Sequence, residues 1–161
     1  EPSLTLEKGF LKEIKKLGYK TKIDTNGSFP EKLKELIEEE VVNYVAMDIK
    51  SSKEKYPNII NCNLDIQKIE KSIKLISNLE NYEFRTTILE SIHNKDEFEN
   101  MCEWIYNLIN KKAKKFTLQG FKKEDKLIDE EFFKEKNTNE EYLEELKKFA
   151  ENYFEEVTIK V

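Results

Sequence analysis

Short runs of β-forming residues alternate with stretches of helical periodicity along all 161 residues of this chain, and that alternation constrains its fold more than any single motif. Phe10, Leu11, Ile14 and Leu17 recur at helical spacing before Gly18, predicting a first helix over roughly Leu6 to Leu17. Tyr19 to Ile23 alternates and stops at the turn-prone Asp24-Thr25-Asn26-Gly27, which predicts a short strand. Ser28 and Glu31 have capping-box spacing, with Pro30 in the first turn and Leu33, Leu36 and Ile37 as the apolar stripe of a second helix.

Asn43 to Ile49 is a nearly continuous apolar run, the pattern of a parallel strand buried on both faces. Beyond a polar loop, Asp65 can cap a helix carrying Ile66, Ile69, Ile73 and Ile76. Tyr82 to Ile88 reads as the next strand, Phe98 to Leu108 as a fourth helix and Lys115 to Gln119 as a further strand. A charged, irregular stretch from Lys122 to Lys136 precedes an amphipathic helix marked by Tyr142, Leu143, Leu146, Phe149 and Ala150, and the chain ends on Val157 to Val161 as a strand. Strands and helices of this size in alternation specify an α/β fold of parallel β/α units, either an open sheet or part of a barrel, within a single domain over 1–161.

Composition narrows the function classes. The 28 basic and 33 acidic residues are mixed along the chain and give a net charge of -5, with no basic block to neutralise a phosphate backbone, so nucleic acid is not an expected partner. No apolar run approaches a membrane span and no signal pattern opens the chain, so no membrane association is expected and the expected location is the cytoplasm. Cys62 and Cys102 stand far apart, which leaves no disulfide framework and no paired metal-ligand motif. Both are read as ordinary thiols.

In β/α folds ligands gather where the strands end at their carboxyl termini, because the loops converge there. The residues at those ends are Asp24, Thr25 and Asn26, then Asp48 and Lys50, then Arg85 to Thr87, then Gln119. Carboxylates, an ammonium and a guanidinium together suit a zwitterion that also carries hydroxyls: carboxylates accept from an ammonium or a ribose, and Lys or Arg pairs with a ligand carboxylate. Asp48 is the most telling, since a buried carboxylate in an apolar strand needs a cation, a donor or a ligand; the competing account is a structural ion pair with Lys50 or Arg85. Asp24 to Gly27 are also ordinary turn formers, Lys50 alone reads as a solvated lysine, and His93 reads as an exposed loop residue without a nucleophile or metal-ligand companion. The Glu38-Glu39-Glu40 run reads as solvated surface. No catalytic residue and no metal ligand is assigned within the chain.

Taken in order, Glu1-Pro2, Asp24-Thr25-Asn26-Gly27-Ser28, Met47-Asp48-Ile49-Lys50, Phe84-Arg85-Thr86-Thr87 and Leu118-Gln119-Gly120-Phe121 resemble the radical S-adenosylmethionine (SAM) activating enzymes of glycyl-radical proteins. The likeness is greatest to anaerobic ribonucleoside-triphosphate reductase activating proteins, with pyruvate formate-lyase activating enzyme a more distant relative. It implies a truncated, partial (β/α)6 TIM-like barrel whose first strands are missing, with the chain as the C-terminal part of the radical SAM core. It further implies SAM as cofactor, a [4Fe-4S] cluster in the intact protein, a glycyl-radical enzyme as protein substrate and flavodoxin or ferredoxin as electron donor. By the same resemblance Glu1 is the acidic residue of a Gly-Gly-Glu-Pro loop that receives the SAM ammonium. Asp24 and Thr25 lie near the methionyl and ribose groups, Lys50 approaches the SAM carboxylate beside Asp48, and Arg85 and Gln119 line the pocket. The family's Cys-x3-Cys-x2-Cys is not in this sequence, so radical generation is not assigned to it, and weak SAM binding without catalysis is expected. An uncovered sheet edge along the strand ending in Asp24 is expected to favour self-association. The alternatives are a cluster-free interaction module for a glycyl-radical protein, and a small-molecule radical SAM enzyme.

Overall fold

A computed structural model describes residues 8–60, 64–123, 132 and 134–161. Along the chain run α1 (Lys8–Lys16), β1 (Lys22–Thr25), α2 (Pro30–Glu38), β2 (Tyr44–Asp48), α3 (Tyr56–Ile60), α4 (Ile66–Ile76), β3 (Tyr82–Ile88), α5 (Lys95–Ile109), β4 (Ala113–Gly120), α6 (Glu140–Ala150) and β5 (Phe154–Lys160). The strands form one sheet in the order β1-β2-β3-β4-β5, and every neighbouring pair is parallel.

A parallel sheet whose strands lie in chain order places every right-handed crossover on the same side. The helices accordingly form one layer, with α2 against α4, α4 against α5 and α5 against α6. Beneath them lies the core, in which Val45, Met47, Phe84, Ile88, Phe116 and Leu118 of the strands meet Leu33, Ile69, Ile73, Phe98, Met101 and Leu143 of the helices. Phe116 stacks on Phe154 at 4.4 Å between ring centroids and on Phe98 at 6.0 Å. A smaller cluster of Leu11, Ile23, Leu36 and Val41 fixes α1 and α2 beside β1. The alternation of the sequence is thus an α/β fold of barrel-like, unclosed curvature, with the helices of the described residues on one face of the sheet.

Several boundaries differ from the sequence expectation for local reasons. The first strand begins at Lys22, not Tyr19, because Gly18 at φ +85° and the bond from Tyr19 N to Ile14 O still belong to the end of α1. Asp24 and Thr25 are in consequence strand residues. The expected Ser28–Glu31 capping box does not form: Ser28 donates to the Asn26 side chain, Phe29 stands at the helix N-cap and Pro30 opens α2. β2 is not buried on both faces, since Tyr44 and Asp48 are half-exposed on the side without helices. The polar loop after β2 contains the short helix α3, and α5 starts earlier than expected because the Asn94 side chain accepts from Glu97 N. β4 extends beyond the expected run at both ends, and β5 starts at Phe154. Glu1, Cys62 and most of the stretch between Lys122 and Lys136 lie outside the described residues.

Candidate functional site

Parallel register places paired residues on a common face, and the face without helices is polar. Three rows of side chains cross it. One row joins Asp24 of β1, Ala46 of β2 and Glu83 of β3. The next runs Asp48, Arg85, Thr117 and Thr158 across β2 to β5. Nearest the carboxyl ends of their strands come Thr87, Gln119 and Lys160.

Arg85 is the centre of this face. Its Nη1 lies 2.7 Å from Asp24 Oδ1, its Nη2 lies 3.0 Å from Asp48 Oδ1, and its Nε donates to the same Asp48 oxygen at 3.0 Å. The other Asp48 oxygen accepts from Lys50 Nζ at 3.0 Å. The structural ion pair that competes with ligand binding as the account of Asp48 is therefore formed, with both Arg85 and Lys50, and the Asp48 side chain is still 33 % exposed toward the open face. Burial by itself would lower the pKa of the Arg85 guanidinium, but Asp48 and Asp24 beside it outweigh that and raise it. Adjacent strands are about 4.8 Å apart, so Arg85 must span β2 to reach β1. The residue it crosses is Ala46, whose small side chain leaves the passage open.

Below this cluster a second polar network continues toward the start of the strands. Glu83 accepts from Thr117 Oγ1 at 2.8 Å and from Lys22 Nζ at 3.4 Å, and Thr117 Oγ1 lies 2.9 Å from Thr158 Oγ1. Lys115 pairs with Glu156 at 2.8 Å, and that bond raises its pKa. Lys22 Nζ lies 5.4 Å from the centre of the Tyr44 ring. Burial first, and Glu83 second, push the Tyr44 phenol up from its ordinary range.

Of the site residues expected from the sequence, Asp24, Asp48, Lys50 and Arg85 are brought together. Gln119 shares the face but is exposed, one row beyond the ion pairs. The Thr25 side chain is buried, and its Oγ1 accepts from Gly27 N at 3.1 Å in the turn after β1. Glu1 lies outside the described residues.

Two residues behind the site went unrecognised in the sequence. His93 is not an exposed loop residue; it is 3 % exposed, since α6 and the β2–α3 loop close over it. Its Nδ1 accepts from Leu89 N at 3.2 Å, which assigns the proton to Nε2, and Nε2 donates to the Lys50 carbonyl at 3.0 Å. Burial lowers its pKa and favours this neutral form. Glu97, 2 % exposed, accepts from Ser51 Oγ at 2.5 Å, Ser52 N at 2.7 Å and Ser52 Oγ at 3.1 Å, with Lys55 Nζ at 3.3 Å. Burial alone would raise the Glu97 pKa, but these donors outweigh it and hold the carboxyl below its usual range. Asn94, capping the helix that carries Glu97, was the one signal in the sequence for a carboxylate held in that first turn.

No protein-family model matches the sequence. A protein of Methanocaldococcus jannaschii, "Putative glycyl-radical enzyme activating enzyme MJ1227", is 33% identical over 165 residues, which take in 97% of this chain. The chain is its homologue. It spans 66% of that relative's length. A crystal structure of a domain of pyruvate-formate lyase-activating enzyme from Bacteroides vulgatus superposes with a TM-score of 0.75 over 100% of this chain and 94% of that one, at 18% identity. This second likeness shows the fold.

The donor set on the open face fits SAM, since carboxylates, an ammonium and a guanidinium are matched to a ligand that carries both charges and ribose hydroxyls. A [4Fe-4S] cluster does not fit these residues. Among the described residues no group of three His, Cys, Asp or Glu side chains could hold a metal, and Cys102 is buried, its thiol pKa raised by burial. No helix among the described residues is long and apolar enough to cross a membrane.

Proposed function

We propose that the open sheet face is the SAM-binding wall of a radical SAM enzyme that activates a glycyl-radical protein, with Asp24, Asp48, Lys50 and Arg85 as the binding residues. The observation that carries this reading is the ion-pair cluster that joins the carboxyl ends of β1 and β2 to Arg85 in the middle of β3, in a homologue of an activating enzyme. Lys50, whose ammonium is paired with Asp48, turns to the ligand carboxylate. Asp24 and Asp48 accept from the ligand ammonium or ribose while Arg85 holds the two carboxylates at a fixed separation. Cleavage of SAM supplies the radical that takes hydrogen from a glycine in such enzymes; the residues here bind and orient, and no step through a cluster is assigned to them.

In the same reading the protein substrate is a glycyl-radical enzyme of the anaerobic ribonucleotide reductase or pyruvate formate-lyase type, with flavodoxin or ferredoxin as electron donor. Glu1 joins the ammonium side of the pocket, Thr25 contributes from the β1 end and Gln119 from the rim.

Calorimetric titration of SAM into this chain, and into Asp48→Ala and Lys50→Ala, tests the assignment. Removing one partner of a charged hydrogen bond costs about 1.5–3 kcal/mol, so each variant is expected to bind roughly tenfold or more weakly. Wild-type affinity in both variants rejects the cluster as the binding site.

A further inference from the structure

The Lys50 ammonium can serve a ligand only if its backbone is held in place, and the loop that carries it has an unusual set of internal bolts. At its start, Thr86 Oγ1 donates to the Ile49 carbonyl at 2.8 Å, and Ile49 N donates to the Arg85 carbonyl at 2.8 Å. Glu97 holds Ser51 and Ser52. Between these two anchors the Lys50 carbonyl accepts from His93 Nε2. The imidazole is itself fixed on its other nitrogen by Leu89 N, and its backbone carbonyl accepts from Tyr142 Oη of α6 at 2.8 Å. A ring with both nitrogens committed and 3 % of its surface exposed sets the direction of the peptide it bonds.

We propose that His93 is a positioning residue for Lys50: its Nε2–H fixes the Lys50 peptide so that the ammonium stands at the Asp48 end of the SAM site. The inference rests on the SAM reading of that site and adds to it a residue from the β3–α5 connection, which touches none of the ligand-facing groups itself. His93 thereby couples the end of β3, the first turn of α5 and the outer helix α6 to a side chain on the opposite face of the sheet.

Two substitutions separate this role from simple support of the core. His93→Gln keeps an amide N–H where Nε2 stands, and His93→Asn keeps an acceptor for Leu89 N but does not reach Lys50. SAM affinity is measured by calorimetry for both, and for Lys50→Ala and the Lys50→Ala/His93→Asn double variant, together with amide hydrogen exchange of residues 50–52. His93→Asn is expected to bind SAM about tenfold more weakly and His93→Gln to stay within about threefold of wild type. In the Lys50→Ala background His93→Asn is expected to add nothing, as required of a residue acting through Lys50. Exchange at 50–52 is expected to quicken in His93→Asn and not in His93→Gln. Additive losses in the double variant, or unchanged loop exchange in His93→Asn, overturn the proposal. Absence of SAM binding by wild type, with loop exchange responding as expected, rejects the cofactor reading and leaves the positioning of Lys50 standing.

Discussion

Arg85 shows how one side chain can turn separate strand ends into a site. It is 20 % exposed and bonded to carboxylates two strands and one strand away, and it reaches the farther one because residue 46 is alanine. Ala46→Leu is expected to break the Arg85–Asp24 pair by filling the passage, and to weaken SAM binding about tenfold while leaving the helix-side core intact. Calorimetry together with a thermal melt checks both halves of that statement. His93 and Glu97 make predictions about pH. An unfolded histidine takes up a proton near pH 6.5, while the buried ring resists it, so stability is expected to fall as pH drops below about 6.5. His93→Gln removes that component of the acid slope. Glu97 has its pKa depressed in the fold, so its contribution is present above about pH 4.3 and is lost as pH falls through the lower folded value. Glu97→Gln is expected to lose about 1–3 kcal/mol at neutral pH and to flatten the acid limb, as urea titrations at several pH values would show.

At the level of elements, turns and caps place the strand ends. Gly27, at φ +77°, lets the chain leave β1 and enter α2, and a Cβ there would come within 2.1 Å of Met47 Cε and 3.3 Å of Ser72 Cβ. The Gly27 carbonyl also accepts from Ser72 Oγ of α4 at 2.8 Å, so this turn is locked to the helix layer. Gly27→Ala is expected to cost roughly 2–4 kcal/mol through backbone strain and overpacking, measured by chemical denaturation. Asp65 accepts from Gln67 N at the start of α4, and Asp65→Ala is expected to cost about 1 kcal/mol in the same assay. The Asp65 cap was legible because it follows from residue type and spacing. The false capping box at Ser28 was equally well spaced, but the Asn26 side chain competes for the hydroxyl and Pro30 fixes where the helix can begin.

For the whole molecule, the asymmetry of the two sheet faces is the main consequence of topology. Chain-order strands put the described helices on one side and leave Lys22, Asp24, Asp48, Glu83, Arg85, Lys115 and Gln119 on the other. Phe84, fully buried between sheet and helices, is expected to cost about 3–5 kcal/mol on change to Ala, as a denaturant titration would show. At the β1 edge of the described sheet, Lys22–Thr25 pairs with β2 on one side. Pairing of this edge with another chain is expected to give concentration-dependent association. A single monomeric species in sedimentation equilibrium at every concentration would count against it.

The α/β class, the number of strands and their succession along the chain, and the placing of Asp24, Asp48 and Lys50 at strand ends and of Arg85 within a strand were legible in the residues alone, because hydrophobic periodicity and turn chemistry act over a few neighbouring positions. Which of these groups meet follows from the fold. Arg85 and Asp24 are sixty-one positions apart, and register across two strand pairs, with an alanine between, is what brings them within 2.7 Å. The same holds for His93, which stands between Ile92 and Asn94 in a loop; its burial comes from α6 and the β2–α3 loop, and long-range contacts of that kind leave no periodic trace in the chain.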